Sequence, residues 1–308
     1  MTRSLSRRDL LGSAASLSAA AALSPDVLCA PPRPRKMADA GWCWDGQGIN
    51  GTWHLSIFGA GEGTKWFGLR RCCYMFHHNT ALALQKLQDM DEVVCEISKW
   101  DFVKVAHSAF KSLDRTGKSL LDRAGWHVHD GRVERKCQEA AIVSQLSLRF
   151  PNVTGAIDDD LFGKIKTEHI SPEQYATVHR AVRSANPRLK LWGIVYSHEL
   201  KKDYWKGFTD LLDVVALFVS ASKDLIHLAR YVDQCREIFP GKPISIGCYL
   251  RDFTLTAGVP MEMLKVQWEF VRKALAEGTI HSYAILGGFH IDLHPQQATW
   301  VRDFIRAN

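Results

Sequence analysis

The chain has no paired cysteines. Its eight Cys (Cys29, Cys43, Cys72, Cys73, Cys95, Cys137, Cys235, Cys248) include no Cys-x-x-Cys and no regular spacing. That argues against a disulfide framework or a zinc ribbon, and several of the eight fall in apolar runs where a free thiol packs as a small hydrophobe. Long apolar runs are missing too: after Leu23 nothing approaches the roughly 20 apolar residues of a membrane-spanning helix. Gly-x-Ser-x-Gly is absent, which removes the usual serine-hydrolase signature. The one glycine-rich stretch, Gly59-Ala60-Gly61-Glu62-Gly63, does not stand between a clear strand and a helix, so it is expected to be a loop and not a phosphate cradle. No internal repeat is visible.

Strong charge of one sign is also lacking. The formal net charge is +6, but residues 1–36 hold six basic residues and two acids, a local +4 that leaves +2 for the rest. Basic residues there are interspersed with acids, as in Glu134-Arg135-Lys136, so no nucleic-acid partner is expected. With 46% hydrophobic and 23% charged residues in 308, the composition is that of a globular protein with a sizeable core.

What is present begins with an address. Ser6-Arg7-Arg8-Asp9-Leu10-Leu11 precedes an Ala/Leu/Ser run from Gly12 to Leu23. A charged start and a short apolar stretch are the pattern of a secretory signal, and the arginine pair points to the twin-arginine route. Residues 1–30 are therefore expected to be a signal peptide and 31–38, with Pro31-Pro32-Arg33-Pro34, an extended tether. Export to the periplasm or beyond follows, with 39–308 as one folded domain.

From residue 40 onward, short apolar runs alternate with helical patterns. Ala40–Trp44, Cys72–Phe76, Val93–Ile97, Val153–Ile157, Leu189–Tyr196, Val214–Val219, Ile244–Leu250 and Tyr283–Phe289 read as strands. Helices are expected at Thr80–Leu87 after an Asn79 cap, at Val133–Phe150, at Tyr175–Ser184 after Ser171-Pro172-Glu173, at Leu225–Phe239, at Met261–Ala276 and at Gln297–Ala307. Repeated strand–helix units imply parallel strands. Eight of them imply a single-domain (β/α)₈ (TIM) barrel, with an open doubly wound sheet as the alternative.

In such a barrel, chemistry sits at the C-terminal strand ends. If the bulky Val153 and Ile157 face the helices, alternation turns Asp158 and Asp160 inward and Asp159 away, unless the strand end bulges. The same reading sends Glu96 and Ser98, then Tyr249 and Arg251, then His290, toward one mouth. Three adjacent carboxylates repel one another, so one needs a raised pKa or a cationic partner, and Arg251 and His290 are available. Glycosidic bond cleavage uses one protonated and one ionised carboxyl group, about 5 Å apart for retention and roughly 6.5–9.5 Å for inversion. Candidate catalytic residues are Asp158, Asp159, Asp160 and Glu96. Candidate substrate-binding residues are Trp42 and Trp44, whose rings would stack on sugars, with His198, Glu199, Tyr249, Arg251 and His290. Trp100 and Tyr196 lie at similar strand ends.

The stretches Thr154-Gly155-Ala156-Ile157-Asp158-Asp159-Asp160 and Gly247-Cys248-Tyr249-Leu250-Arg251-Asp252-Phe253 resemble a group of exported bacterial barrel proteins with an Ile-Asp-Asp-Phe-like motif, regarded as glycoside-hydrolase-like. The resemblance covers roughly residues 150–308 and implies a barrel with a sugar-related site at Asp158 and Asp159. Asp160 stands where that motif has Phe.

Two other readings compete. A metal-dependent barrel hydrolase would use His77, His78, His198, His290 and Asp292, but the first strand ends Trp42-Cys43-Trp44-Asp45 and lacks His-x-His. His127-Val128-His129 has that spacing yet precedes Asp130-Gly131, a hairpin signal. A barrel that binds sugar without turnover is the second. The preferred reading is a carbohydrate-active hydrolase with a carbohydrate substrate and no metal or other cofactor; the sequence says nothing about oligomeric state.

Overall fold

The computed structural model describes residues 36–46, 56–75, 77–104 and 125–308. The signal segment 1–30, the start of the tether and Cys29 lie outside them, as does the side chain of Trp100.

Eight parallel strands close on themselves: β1 (Gly41–Asp45), β2 (Arg71–Tyr74), β3 (Glu92–Glu96), β4 (Val153–Asp158), β5 (Lys190–Tyr196), β6 (Val214–Phe218), β7 (Ile244–Tyr249) and β8 (Ser282–Leu286). Each pairs with its neighbours in sequence, and β8 pairs with β1 through Gly41–Tyr283 to Trp44–Leu286. That last pairing excludes the open sheet. The expected strands match these within three residues, because a parallel strand covered on both faces is a near-continuous apolar run.

Helices alternate with the strands. Those used below are α1 (Glu62–Trp66), α2 (Ala81–Lys86), α3 (Val133–Leu146), α4 (Leu161–Thr167), α5 (Pro172–Val182), α6 (Leu228–Ile238), α7 (Met261–Ala276) and α8 (Pro295–Ala307). Ser171 and Gln174 form a reciprocal capping box that starts α5, with Pro172 at its first position. The α2 cap is Thr80, whose hydroxyl accepts from Ala83 N–H, and not Asn79. Asn79 is buried instead, donating to the Glu96 carbonyl and to Glu139 Oε2. α3 stops at Leu146, four residues short of expectation, and a 3₁₀ segment Ser222–His227 precedes α6. Lys99–Lys104 and Gly125–Asp130 pair antiparallel directly after the C-terminal end of β3, on the mouth side; Asp130-Gly131 is not their turn but leads from the second strand into α3. A two-residue ribbon joins Arg251–Asp252 to Ala257–Gly258.

The barrel interior is packed with rings. Trp42 on β1 meets Trp192 on β5, directly opposite, at 4.9 Å between centroids, and Trp44 meets Phe218 on β6 at 5.7 Å. Such contacts exist only through the lumen. Room for them comes from small residues at the same level. A Cβ on Gly247 would approach Phe218 to 2.1 Å, so only glycine fits there.

Candidate functional site

The ring contacts fix which face of each strand looks inward, and register carries that phase around the barrel. Trp192 lies beside Ile157, and Ile157 beside Glu96, so Glu96, Ile157, Trp192 and Tyr196 point into the lumen. Asp158 pairs with Gly193, whose missing Cβ would meet Leu212 and Leu161 on the helix side. The expected phase of β4 is therefore reversed: Asp158 faces the helices, and the next inward position is Asp159. Bulk misled the reading. This lumen takes large side chains, while small Ala156 lies under the helices. The inward phase expected for Glu96 on β3 and for Tyr249 on β7 agrees with the registers.

Asp158 is fully buried, with the Lys136 ammonium of α3 at 2.7 Å from both carboxylate oxygens and the Tyr175 hydroxyl of α5 donating at 2.9 Å. Its cation is thus Lys136, not Arg251 or His290. Lys136 shares the buried stripe of α3 with Glu139, Ala140, Val143 and Ser144. A lone Lys on the apolar face of a helix was the available signal for it.

At the inner rim of the mouth the chain gathers carboxyl groups. Ser98 tethers the Asp159 backbone, its Oγ accepting from Asp159 N–H at 2.8 Å and donating to the Asp159 carbonyl at 3.3 Å. Asp160 N–H donates to Asp159 Oδ1 at 3.0 Å. Asp160 itself sits in the left-handed region, φ 48°, immediately before α4, a conformation that costs a non-glycine residue about 1 kcal/mol. The Tyr196 hydroxyl donates to Asp160 Oδ1 at 2.8 Å. Tyr196 N–H donates to Glu199 Oε2 at 2.9 Å, which secures the 3₁₀ turn after β5. Asp159, Asp160 and Tyr196 are each partly open to solvent; Glu96 lies wholly buried beneath.

Charge is crowded there. Burial, then the Asp160 charge, then Glu96 and Asp158 push Asp159 well above the usual carboxylate range, against a lowering by the Asp160 N–H. Burial lifts Glu199 to about 7, with the Tyr196 N–H opposing and Asp160 adding. Burial raises both the Tyr196 and the Tyr249 phenol. Lys99, buried with its ammonium 3.8 Å from Glu96 Oε2 and 2.6 Å from the His77 carbonyl, is lowered by burial while Glu96 and Glu139 raise it. The arrangement raises one carboxyl group beside another at the opening of the barrel, the kind of environment that acid–base chemistry uses.

The remaining candidates are scattered. Trp42 is 4% exposed and Trp44 1%, both inside the barrel, so neither offers a ring face for stacking. His198 is exposed and stacks on Tyr196 at 5.6 Å. Arg251 is buried with Nη1 3.5 Å from His294 Nε2. His290 is buried among Phe253, Phe289 and His294, its Nδ1 3.3 Å from the Leu286 carbonyl. Of the histidines in the metal reading, His78 lies beside Arg135 and Glu139, and Asp292 accepts from Ile57 N–H. Among the described residues no three His, Cys, Asp or Glu side chains converge as a metal set.

Neither a family model nor a curated protein matches the chain. Solved structures do. An exo-β-1,4-mannosidase from Opitutaceae bacterium strain TAV5 superposes with a TM-score of 0.51 at 11% identity, over 89% of this chain and 60% of that one. A β-glucuronidase from Bacteroides uniformis superposes with a TM-score of 0.50 at 11% identity, over 82% of this chain and 30% of that one. The chain thus spans under two thirds of either structure. At such identity the likeness is one of fold: a (β/α)₈ barrel.

Proposed function

We propose that this chain is a carbohydrate-active hydrolase that cleaves glycosidic bonds at the C-terminal mouth of its barrel. The observation that carries the reading is the pair Asp159 and Asp160. Two adjacent, partly open carboxyl groups stand at the inner rim, and burial plus neighbouring negative charge hold Asp159 protonated. Asp159 donates its proton to the glycosidic oxygen as the bond breaks. Asp160, ionised, serves the anomeric carbon, either directly or through a water molecule, and the configuration of the released sugar distinguishes the two. Glu199, lifted to about 7, adds a second acid to the same rim. Both structural neighbours bear the names of glycosidases, which agrees with a sugar substrate.

The test is hydrolysis by the whole chain across a panel of aryl glycosides and oligosaccharides, wild type against Asp159→Asn. The variant is expected to lose about 10²–10⁴-fold on sugars with poor leaving groups. It should lose far less on dinitrophenyl glycosides, whose leaving group needs no proton. A wild type that binds glycans yet turns none over would make this a sugar-binding barrel instead.

Export belongs to the same proposal. Arg7-Arg8 and the run after it support delivery by the twin-arginine route, with residues 31–38 as the tether. Cell fractionation of an Arg7→Lys, Arg8→Lys chain should find it retained inside.

A further inference from the structure

Asp159 and Asp160 are chemically alike and adjacent, so something must decide which keeps the proton. We infer that Tyr196 is the positioning residue that decides it: its hydroxyl donates to Asp160 Oδ1 at 2.8 Å, leaving Asp160 as the carboxylate and Asp159 as the acid. The inference rests on the acid–base reading of this pair.

A phenol hydroxyl aimed at a carboxyl oxygen favours the charged form of that group, since an ionised carboxylate only accepts. Asp160 receives this bond and Asp159 does not. The strongest charges acting on Asp159 are Asp160 from the same loop, Glu96 from β3 and Asp158 from the outer face of β4, all negative. Two nearby cations are committed elsewhere, Lys136 to Asp158 and Lys99 to Glu96 and the His77 carbonyl. Glu199 after β5 is itself raised by burial and by Asp160, and Tyr249 from β7 lies beside Tyr196. Two carboxyl groups this close do not both ionise, so a bond that favours one as the anion leaves the proton on the other.

Tyr196 is also well fixed. Its backbone N–H holds Glu199, and its ring packs against Phe218 at 6.3 Å and against the His198 ring. One side chain therefore ties the β5 end to the β4 end and gives the two acids opposite protonation states.

The experiment is a ¹³C-carboxyl NMR titration of the whole chain labelled at aspartate, for wild type, Asp159→Asn, Asp160→Asn and Tyr196→Phe. Besides Asp45, which should titrate near 6 in all four chains, one aspartate carboxyl group is expected to titrate well above the ordinary range and to be missing in Asp159→Asn. In Tyr196→Phe that titration should fall by about one pH unit, as Asp160 loses its donor and competes for the proton. If it stays in place, or if the high titration disappears in Asp160→Asn and survives in Asp159→Asn, the inference is overturned. Should Tyr196→Phe fail to fold, 3-fluorotyrosine at 196 keeps the ring and strengthens the donor, and it should move the Asp159 titration upward; no movement counts against the inference. None of these readouts needs a substrate. A chain that hydrolyses no glycan can still pass them, and an active hydrolase can fail them.

Discussion

Lys136 Nζ lies 2.7 Å from both carboxylate oxygens of Asp158, and neither side chain has any exposed surface. Together with Tyr175 they clamp β4 to α3 and α5, one residue before the rim acids. Lys136→Met leaves a buried carboxylate without its cation and should cost about 3–5 kcal/mol in urea unfolding. Tyr175→Phe removes one bond to a charged group and should cost about 1.5–3 kcal/mol. If Asp158→Asn instead abolished turnover at unchanged stability, Asp158 would be chemistry and not scaffold.

Asp45 at the end of β1 gives a pH test with a definite sign. It is fully buried on the outer face, and its Oδ2 accepts from Gly61 N–H, Thr64 N–H and the Thr64 hydroxyl at the start of α1. Burial outweighs these bonds and lifts its carboxyl group from 3.8 to about 6. The folded chain thus holds this proton more tightly than the unfolded chain. The contribution favours folding below pH 4 and is lost as pH rises through 6, a span worth about 3 kcal/mol. Asp45→Asn lacks that slope. Its stability relative to wild type should climb by about that amount between pH 3.5 and 7.5, whatever the offset at the acid end. Parallel pH profiles would show that the Asp45 carboxyl group is not raised.

The barrel was legible in the sequence and the phase of its fourth strand was not. Strand–helix alternation survives in composition because buried parallel strands are apolar throughout and helices carry one apolar stripe. Inside Val153-Thr154-Gly155-Ala156-Ile157 there is no polar–apolar contrast to tell lumen from helix layer, and the rings of Trp42, Trp44 and Trp192 reverse the usual inference from size. A slip of one position exchanges Asp158 for Asp159. Glu96, by contrast, is a lone acid between Cys95 and Ile97, and its alternation could be followed. The Tyr196–Asp160 contact joins residues 36 apart in sequence and depends on two loops that no periodicity describes.

Trp42 and Trp44 separate scaffold from substrate contact by a second route. Trp42 pairs with Trp192 and Trp44 with Phe218 across the lumen, and both are almost wholly buried. Trp42→Ala or Trp44→Ala should each cost about 3–5 kcal/mol of stability, seen as a lower urea midpoint. KM for any glycan the variant still turns over should be unchanged. A normally stable Trp44→Ala with weakened glycan binding would return that ring to the binding surface.

Arg251 and His294 provide the last test, at the β7–β8 side of the mouth. The two side chains are buried together, Nη1 to Nε2 at 3.5 Å, and a guanidinium is always a donor, so the imidazole is neutral and accepts. Burial first, and the Arg251 charge second, hold His294 down to about 4. Because the folded value lies below the ordinary 6.5, the unfolded chain takes up this proton first, and the stability that neutral His294 contributes is lost as pH falls from 6.5 toward 4. Arg251→Met removes the smaller of the two causes. Histidine NMR should then show His294 titrating above 4 but still below 6.5, because burial persists. Full recovery to 6.5 would mean that the charge, and not burial, governs it. No change would mean that Arg251 does not face the ring, and the β7 ribbon would then not be held against the start of α8 by this contact.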